Sequence, residues 1–282
     1  MMLNIITIPQ LPIGDYFENF IRFLQRHFDF FFEGVNVVIR MAVHNIDRLL
    51  MLLPGLIVIL IFALLAWWAS SKWLGLFTFI GLLVVYSMGF WSSAVSTLSL
   101  VLVSSIIALL IGIPLGILAA KSDRIGSVIR PLLDFMQTMP AFVYLIPAII
   151  LFERGAVAGT IATVIFAMPP VVRLTNLGIR QVPTDVIEAA KSLGSTGKQL
   201  LLKVQLPISL PTIFAGINQT IMLSLSMVVI ASMIGAGGLG QDVRSALSRV
   251  DIGFGFEAGL AVVILAMIID RITQSFGEKA EN

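Results

Sequence analysis

The sequence predicts an all-α integral membrane protein with about seven transmembrane helices, because of its composition and the spacing of its charges. Of the 282 residues, 58% are hydrophobic and only 12% are charged, whereas soluble domains are roughly 45–50% apolar and about 25% charged. The charged residues cluster, and long runs without any charge lie between the clusters. A charge at the bilayer centre costs at least about 2.5–3.5 kcal/mol, so these runs indicate membrane spans.

Residues 1–48 are expected to form a separate N-terminal region that lies in the membrane interface. Phe17, Phe20, Ile21 and Leu24 recur at helical spacing, with charged and amide side chains between them. This pattern is typical of an amphipathic helix at the head-group level. The alternative is a poorly ordered tail.

Two peripheral transmembrane helices are expected within residues 49–91. The first is the charge-free run 49–71. The second begins a longer charge-free run, 73–120, which is long enough for two helices of roughly 20 residues each. Gly89, close to Trp91, predicts a turn at the membrane surface that separates these two helices.

The remaining spans are expected to form a core over residues 92–275. Glu257 and the Asp270-Arg271 pair leave the last span less apolar than the others, so its ends should lie at the head-group level or against protein. The core spans are predicted at 95–120, 135–152, 155–172, 204–241 and 256–274.

The distribution of Lys and Arg predicts the orientation, since cytoplasmic loops collect positive charge. The short loops on one side hold only Arg154, Arg244 and Arg249, and those on the other side hold most of the basic residues. The C-terminal tail, residues 276–282, is therefore predicted to be cytoplasmic, and an odd number of spans places the N-terminus outside. The basic residues on the predicted cytoplasmic side are Lys72, Lys121, Arg124, Arg130, Arg173, Arg180, Lys191, Lys198, Lys203, Arg271 and Lys279.

The predicted cytoplasmic loop 173–211 contains the longest polar stretch of the chain. A helix is expected to begin at Thr184, after Pro183, and to end at Gly194, which tolerates the left-handed conformation. Thr196 and Gln199 form a capping-box pattern, which predicts a second helix that ends before Pro207. The loop is therefore expected to form a helix-turn-helix elbow.

The elbow also carries a recognisable spacing, E-A-A-x3-G-x9-V-x-L-P, from Glu188 to Pro207. It resembles the signature of the membrane subunits of ATP-binding cassette (ABC) importers of the type I architecture, and departs from it only at Val204, where the family has Ile. The resemblance implies that a cytosolic ATPase grips this elbow. The residues to which it assigns coupling are Glu188, Ala189, Ala190, Gly194, Leu206 and Pro207.

Composition and motifs exclude most alternative chemistry. The chain has no cysteine, and its two histidines cannot complete a zinc site. The segment Ser192–Gln199 departs from the P-loop pattern at its first and last positions, and Gly235–Gly240 follows a predicted membrane helix, not a strand. No catalytic motif appears, and a net charge of +2 does not favour nucleic-acid binding. We therefore expect a non-enzymatic chain that binds neither metal nor cofactor.

A candidate pathway lies in the segment from Asp134 to Ala148, which contains Pro140 and Pro147. Prolines weaken a spanning helix and free backbone carbonyls, which is tolerated only against protein or a water-filled path. The candidate pathway or gate residues are Gln137, Met139, Pro140, Phe142 and Tyr144.

With two further segments, 166–170 and 216–222, this region resembles the permease subunits of glycine betaine, choline and carnitine importers over about residues 90–275. The resemblance implies transport of a quaternary ammonium osmolyte (glycine betaine, choline, carnitine or proline betaine). It also implies a homodimer, two ATPase subunits that use ATP and Mg, and an external binding protein. A quaternary ammonium ion is held by aromatic faces, for which Phe142, Tyr144 and Trp91 are available, although these side chains equally suit packing or an interfacial belt.

Other functions remain open from the sequence. Within importers, the alternative is another small solute, such as an amino acid or a sulfonate. An ATP-independent carrier or channel would need no ATPase, and a membrane scaffold would not need the elbow.

Overall fold

The computed structural model describes residues 11–281, with side chains described to Gly277, and it contains helices and turns but no strand in that range. The first ten residues of the predicted interfacial region, and Asn282 of the predicted tail, lie outside the described residues. The helices are α1 (Ile13–His27), α2 (Asp29–Leu52), α3 (Gly55–Ala69), α4 (Lys72–Ser87), α5 (Trp91–Lys121), α6 (Asp123–Thr138), α7 (Leu145–Phe152), α8 (Ala156–Ala167), α9 (Pro169–Arg180), α10 (Thr184–Ser192), α11 (Gly197–Leu200), α12 (Leu206–Ala231), α13 (Leu239–Arg249) and α14 (Ile252–Glu281).

The all-α membrane architecture is confirmed. Among the described residues, four helical segments are long and apolar enough to span a membrane: Trp91–Lys121, Ala156–Arg180, Gly197–Ile234 and Ile252–Gly277. Two pairs of helices bent by 104° and 105°, α2 with α3 and α6 with α7, raise the count to six if each is one span. The seventh expected segment is α4, whose 16 residues are fewer than the roughly 20 that a span requires.

The N-terminal region contains the amphipathic helix that the sequence predicts, α1. Its Ile21 is buried, and its Phe17 and Phe20 are about half exposed. The next helix, α2, passes through residue 48 without a break and packs on the core through Ile39, which is 4% exposed and lies in one cluster with residues of α5 and α8. This region is therefore joined to the core by a continuous helix.

The core is held together where α9 lies between α5 and α12. A Cβ on Gly116 of α5 would lie 2.6 Å from the Cβ of Thr175 and 2.8 Å from the carbonyl oxygen of Val172. On the other side, a Cβ on Gly216 of α12 would lie 3.1 Å from the Cα of Val171. Lipid offers no hydrophobic drive for helix association, so this close approach of backbones at small residues supplies the packing.

The last helix, α14, packs against α12 and accommodates the charge that the sequence placed at the end of its span. The Asn218 side chain donates a hydrogen bond of 3.0 Å to the Asp270 carboxylate, and Gln274 donates to both of its oxygens at 2.9 and 2.8 Å. The sequence left open whether the ends of this span lie at the head-group level or against protein, and the Asp270 side chain lies against protein.

Candidate functional site

The first arm of the elbow is α10, and its end is set by Gly194. Gly194 has φ +80°, the left-handed conformation that its missing Cβ permits. Its N–H donates to the Lys191 carbonyl at 2.9 Å, and the N–H of Ser195 donates to the Ala190 carbonyl at 3.1 Å. This pair of bonds is the Schellman motif. The predicted start at Thr184 and stop at Gly194 are confirmed.

The second arm begins as predicted but does not end as predicted. Thr196 and Gln199 make both hydrogen bonds of the capping box. The helix then continues through Pro207 into α12, by way of a π-helical turn at Leu201–Gln205. The prediction of a stop before Pro207 is wrong, because a π turn closes its bonds one residue further back, as the Leu206 N–H does with the Leu201 carbonyl. The wider turn relieves the clash that a proline ring makes with the carbonyl four residues before it.

The elbow presents an unpartnered surface to its surroundings. No residue of α10 is buried, and both Glu188 and Ala189 are exposed. Leu193, at the tip beside Gly194, is 89% exposed, and Leu202 is 50% exposed. Exposed leucines on a polar segment make the elbow a candidate docking surface for another protein.

The root of the elbow is fastened to the core through Arg180, the last residue of α9. Its guanidinium lies 2.7 Å from the Asp123 carboxylate at the start of α6. It also donates to the Ala119 carbonyl of α5 at 2.9 Å and to the Asn176 side chain at 2.9 Å. The segment that leads into the elbow is therefore held against α5 and α6.

The predicted weak point in the span 135–152 is a break. The chain leaves α6 at Met139, turns through Pro140 and a 3-10 turn at Ala141–Tyr144, and enters α7 at an angle of 105°. In an α-helix the Met136 carbonyl would accept from residue 140, but proline has no N–H to donate. The hydroxyl of Tyr144, which is 8% exposed, donates to that carbonyl instead at 2.7 Å.

Replacing Tyr144 with Phe should therefore destabilise the break. The change leaves the Met136 carbonyl without its donor, which costs about 1–3 kcal/mol in a buried setting. We expect a lower midpoint for thermal unfolding in detergent. Tyr86→Phe is the matched control, because Tyr86 is 42% exposed and its ring contacts Trp91. Equal midpoints for the two variants would show that the hydroxyl of Tyr144 does not support the break.

The structure separates the five candidate pathway residues into two environments. Gln137 and Phe142 are exposed, Phe142 by 59%, and Pro140 is exposed at the break. Met139 is part-buried, and Tyr144 is buried and committed to its hydrogen bond. A pathway role for these residues stays a prediction, and the geometry favours the exposed ones.

A cavity of about 640 Å³ with charged and amide side chains in its walls adjoins the break, between α6, α9 and α12. Its walls include Arg130, Asp134, Gln137, Arg173 and Gln219. From the sequence, Gln137 was a candidate pathway residue, whereas Arg173 served only to predict the orientation of the chain in the membrane. The signal for Arg173 is its position, close to the end of a predicted span and on the helix that leads to the elbow. No group of three or more side chains suited to a metal occurs among residues 11–277.

These features define a class: a multi-pass helical membrane subunit with a broken helix beside a cavity and an exposed helix-turn-helix elbow. The model of the family described as the binding-protein-dependent transport system inner membrane component matches residues 112–280. This match covers more than half of the chain, which therefore belongs to that family. It is a transport subunit and not an enzyme.

Curated relatives resemble the chain along nearly its whole length. The glycine betaine transport system permease protein OpuAB of Bacillus subtilis is 48% identical, over 98% of each chain. The glycine betaine/carnitine transport permease protein GbuB of Listeria monocytogenes is 50% identical, over 98% of this chain and 99% of the relative. The permease protein ProW of the glycine betaine/proline betaine transport system of Escherichia coli is 47% identical, over 96% and 77%.

Among solved structures, a chain of the MetNI methionine ABC transporter in an inward-facing conformation matches with a TM-score of 0.60. The match covers 65% of this chain and 92% of that one, at 22% identity. It supports the type I importer fold and, at this identity, nothing beyond the fold.

Proposed function

We propose that this chain is the permease subunit of an ATP-driven importer for a quaternary ammonium osmolyte of the betaine type. The observation that carries the solute class is identity of 48% and 50% along the full length to permeases named for glycine betaine and for glycine betaine and carnitine. The exposed elbow is consistent with a separate ATPase, because this chain contains no nucleotide-binding loop of its own.

In the proposed assembly, two copies of the chain enclose the pathway in a bacterial plasma membrane. Two ATPase subunits, which use ATP and Mg, take the two elbows through Glu188, Ala189, Ala190 and the apolar tip at Leu193. An external binding protein delivers the solute. With α4 counted as a seventh span, the N-terminus lies outside and the C-terminus in the cytoplasm, which places the elbow within reach of the ATPase.

The proposed mechanism is alternating access. Closure of the ATPase dimer around ATP pushes both elbows. Because α9 is packed between α5 and α12, it carries this displacement into the core. The spans then face outward and receive the solute, and hydrolysis resets them inward. The break at Pro140 provides the point where the pathway opens and closes, since its backbone is not constrained by a continuous helix.

The quaternary ammonium group of the solute carries a permanent positive charge, because it has no proton to release. Aromatic faces hold such ions by cation–π attraction, at about 0.5–2 kcal/mol each. Phe142, exposed at the break, is the aromatic residue we assign to the path. A single weak contact suits a path that must release its cargo, since tight holding belongs to the external binding protein.

The test is to purify the chain from its native host in mild detergent and identify what copurifies. We expect an ATPase subunit in equal ratio, and hydrolysis in liposomes with the binding protein that is stimulated by glycine betaine, carnitine or choline. Stimulation by a neutral amino acid or a sulfonate, but by none of the three, would refute the solute class. Solute uptake by the chain alone, down a gradient, would refute the requirement for ATP.

A further inference from the structure

Two ion pairs join α6 to α9, and nothing in the proposed function accounts for them. Arg180 at the end of α9 contacts Asp123 at the start of α6 at 2.7 Å. Arg173, nearer the start of α9, lies 2.6 Å from Asp134, which is near the end of α6. The start of each helix is thus paired with the end of the other, so the two helices run antiparallel and ion pairs join them near both ends.

The guanidinium of Arg173 donates hydrogen bonds through both of its terminal nitrogens. One terminal nitrogen donates to the carboxylate of Asp134 and the other to the side-chain oxygen of Gln137. Both acceptors belong to the part of α6 that directly precedes the break at Met139 and Pro140. A planar guanidinium fixes direction as well as distance, which an ammonium does not.

Beside the Arg173–Asp134 pair the helices share an apolar contact. Leu133 and Met136 of α6 and Val172 of α9 are buried together, at 3%, 8% and 1% exposure. The side chains of the Arg173–Asp134 pair lie at the surface of the chain, Arg173 41% and Asp134 68% exposed.

We infer that Arg173 is a positioning residue for transport: through Asp134 and Gln137 it makes the end of α6, and with it the break, follow the motion of α9. This inference rests on the proposed function, since α9 moves only if an ATPase drives the elbow. The elbow follows α9 along the chain, so its movement passes to α9 directly, and from α9 through Arg173 to the segment where the path opens.

The test reverses the charges of Arg173 and Asp134. The complex of this chain with its ATPase is reconstituted in liposomes, and uptake of radiolabelled glycine betaine is measured in the presence of the binding protein. Asp134→Arg and Arg173→Asp, made singly, should lower the solute moved per ATP hydrolysed by about fivefold or more, the size of a typical coupling. Both variants should still hydrolyse ATP, because the elbow is intact. The double exchange should recover most of the ratio, because it restores the attraction with the charges reversed.

A matched control is the exposed pair of Glu18 and Arg22 on α1, which also lies at 2.6 Å. Exchanging its charges should leave the ratio unchanged. Single exchanges on α6 and α9 that leave the ratio at the wild-type value, or a double exchange no better than the singles, would overturn the inference while the proposed function stands. A wild-type complex without ATP-driven uptake would overturn both.

A second measurement does not depend on transport. Because the chain has no cysteine, two spin labels can be placed cleanly on exposed positions of the two helices, such as Val128 and Leu177. The distance between them should stay the same in the resting and the vanadate-trapped states of the wild type. It should change or broaden on trapping in Asp134→Arg. A large change in the wild type would show that α6 does not follow α9.

Discussion

Replacing Gly194 with Val is expected to reduce solute uptake about tenfold or more while membrane insertion remains normal. Gly194 has φ +80°, and a side chain with a Cβ pays about 1–2 kcal/mol to hold the left-handed conformation, with a β-branched residue at the high end. Because α10 buries no side chain, little else keeps the turn in shape. A cost of 1.4 kcal/mol corresponds to about a tenfold change in population.

The measurement is ATP-driven uptake in liposomes, with ATPase binding followed by copurification. Gly197→Val is the matched control in the same elbow. Gly197 has no positive φ, and a Cβ there meets nothing within 4 Å, so its transport should stay near the wild-type value. Unimpaired uptake by Gly194→Val would mean that the shape of the elbow is not needed for coupling.

Replacing Gly116 with Ala is expected to destabilise the membrane core strongly. A Cβ at this position would stand 2.8 Å from the carbonyl oxygen of Val172, and that atom is backbone, so α5 and α9 must separate. Overpacking of this kind costs about 1–3 kcal/mol, which exceeds the roughly 0.5–1 kcal/mol that Ala gains over Gly inside a helix. The midpoint of thermal unfolding in detergent should fall, with loss of ATP-driven uptake.

The control is Gly259→Ala on α14, where a Cβ meets nothing within 4 Å. The same substitution in a membrane helix should there be neutral or slightly stabilising, since only the propensity term remains. Equal midpoints for the two variants would contradict the role of small residues in holding α9 between its neighbours.

Much of this architecture could be predicted because the bilayer imposes a simple rule on charge. The charge-free runs located the helices of the core, and the capping box with Gly194 located the turn of the elbow. Pro140 marked the break correctly, since its missing N–H has a fixed local consequence. These features depend on residues close together in the sequence.

Three features could not be predicted, and the last of them depends on residues far apart in the sequence. Pro207 indicated a helix end, but the π turn at Leu201–Gln205 accommodates it. The sequence made Tyr144 a candidate aromatic residue of the path but gave no sign that its hydroxyl replaces a missing backbone donor. The pairing of Arg173 with Asp134 requires knowing that α6 and α9 lie side by side. No periodicity within either helix contains that information.

The π turn at Leu201–Gln205 also sets the direction, around the axis of α12, in which the elbow points. A π turn is in effect one residue inserted into an α-helix, and one residue corresponds to a rotation of about 100° around the axis. The capping box and the tip at Leu193 thus point in a direction that a regular helix from Gly197 to Ala231 would not give them. Shortening the turn by one residue would swing the elbow around α12 and away from its partner without altering a single side chain at its tip.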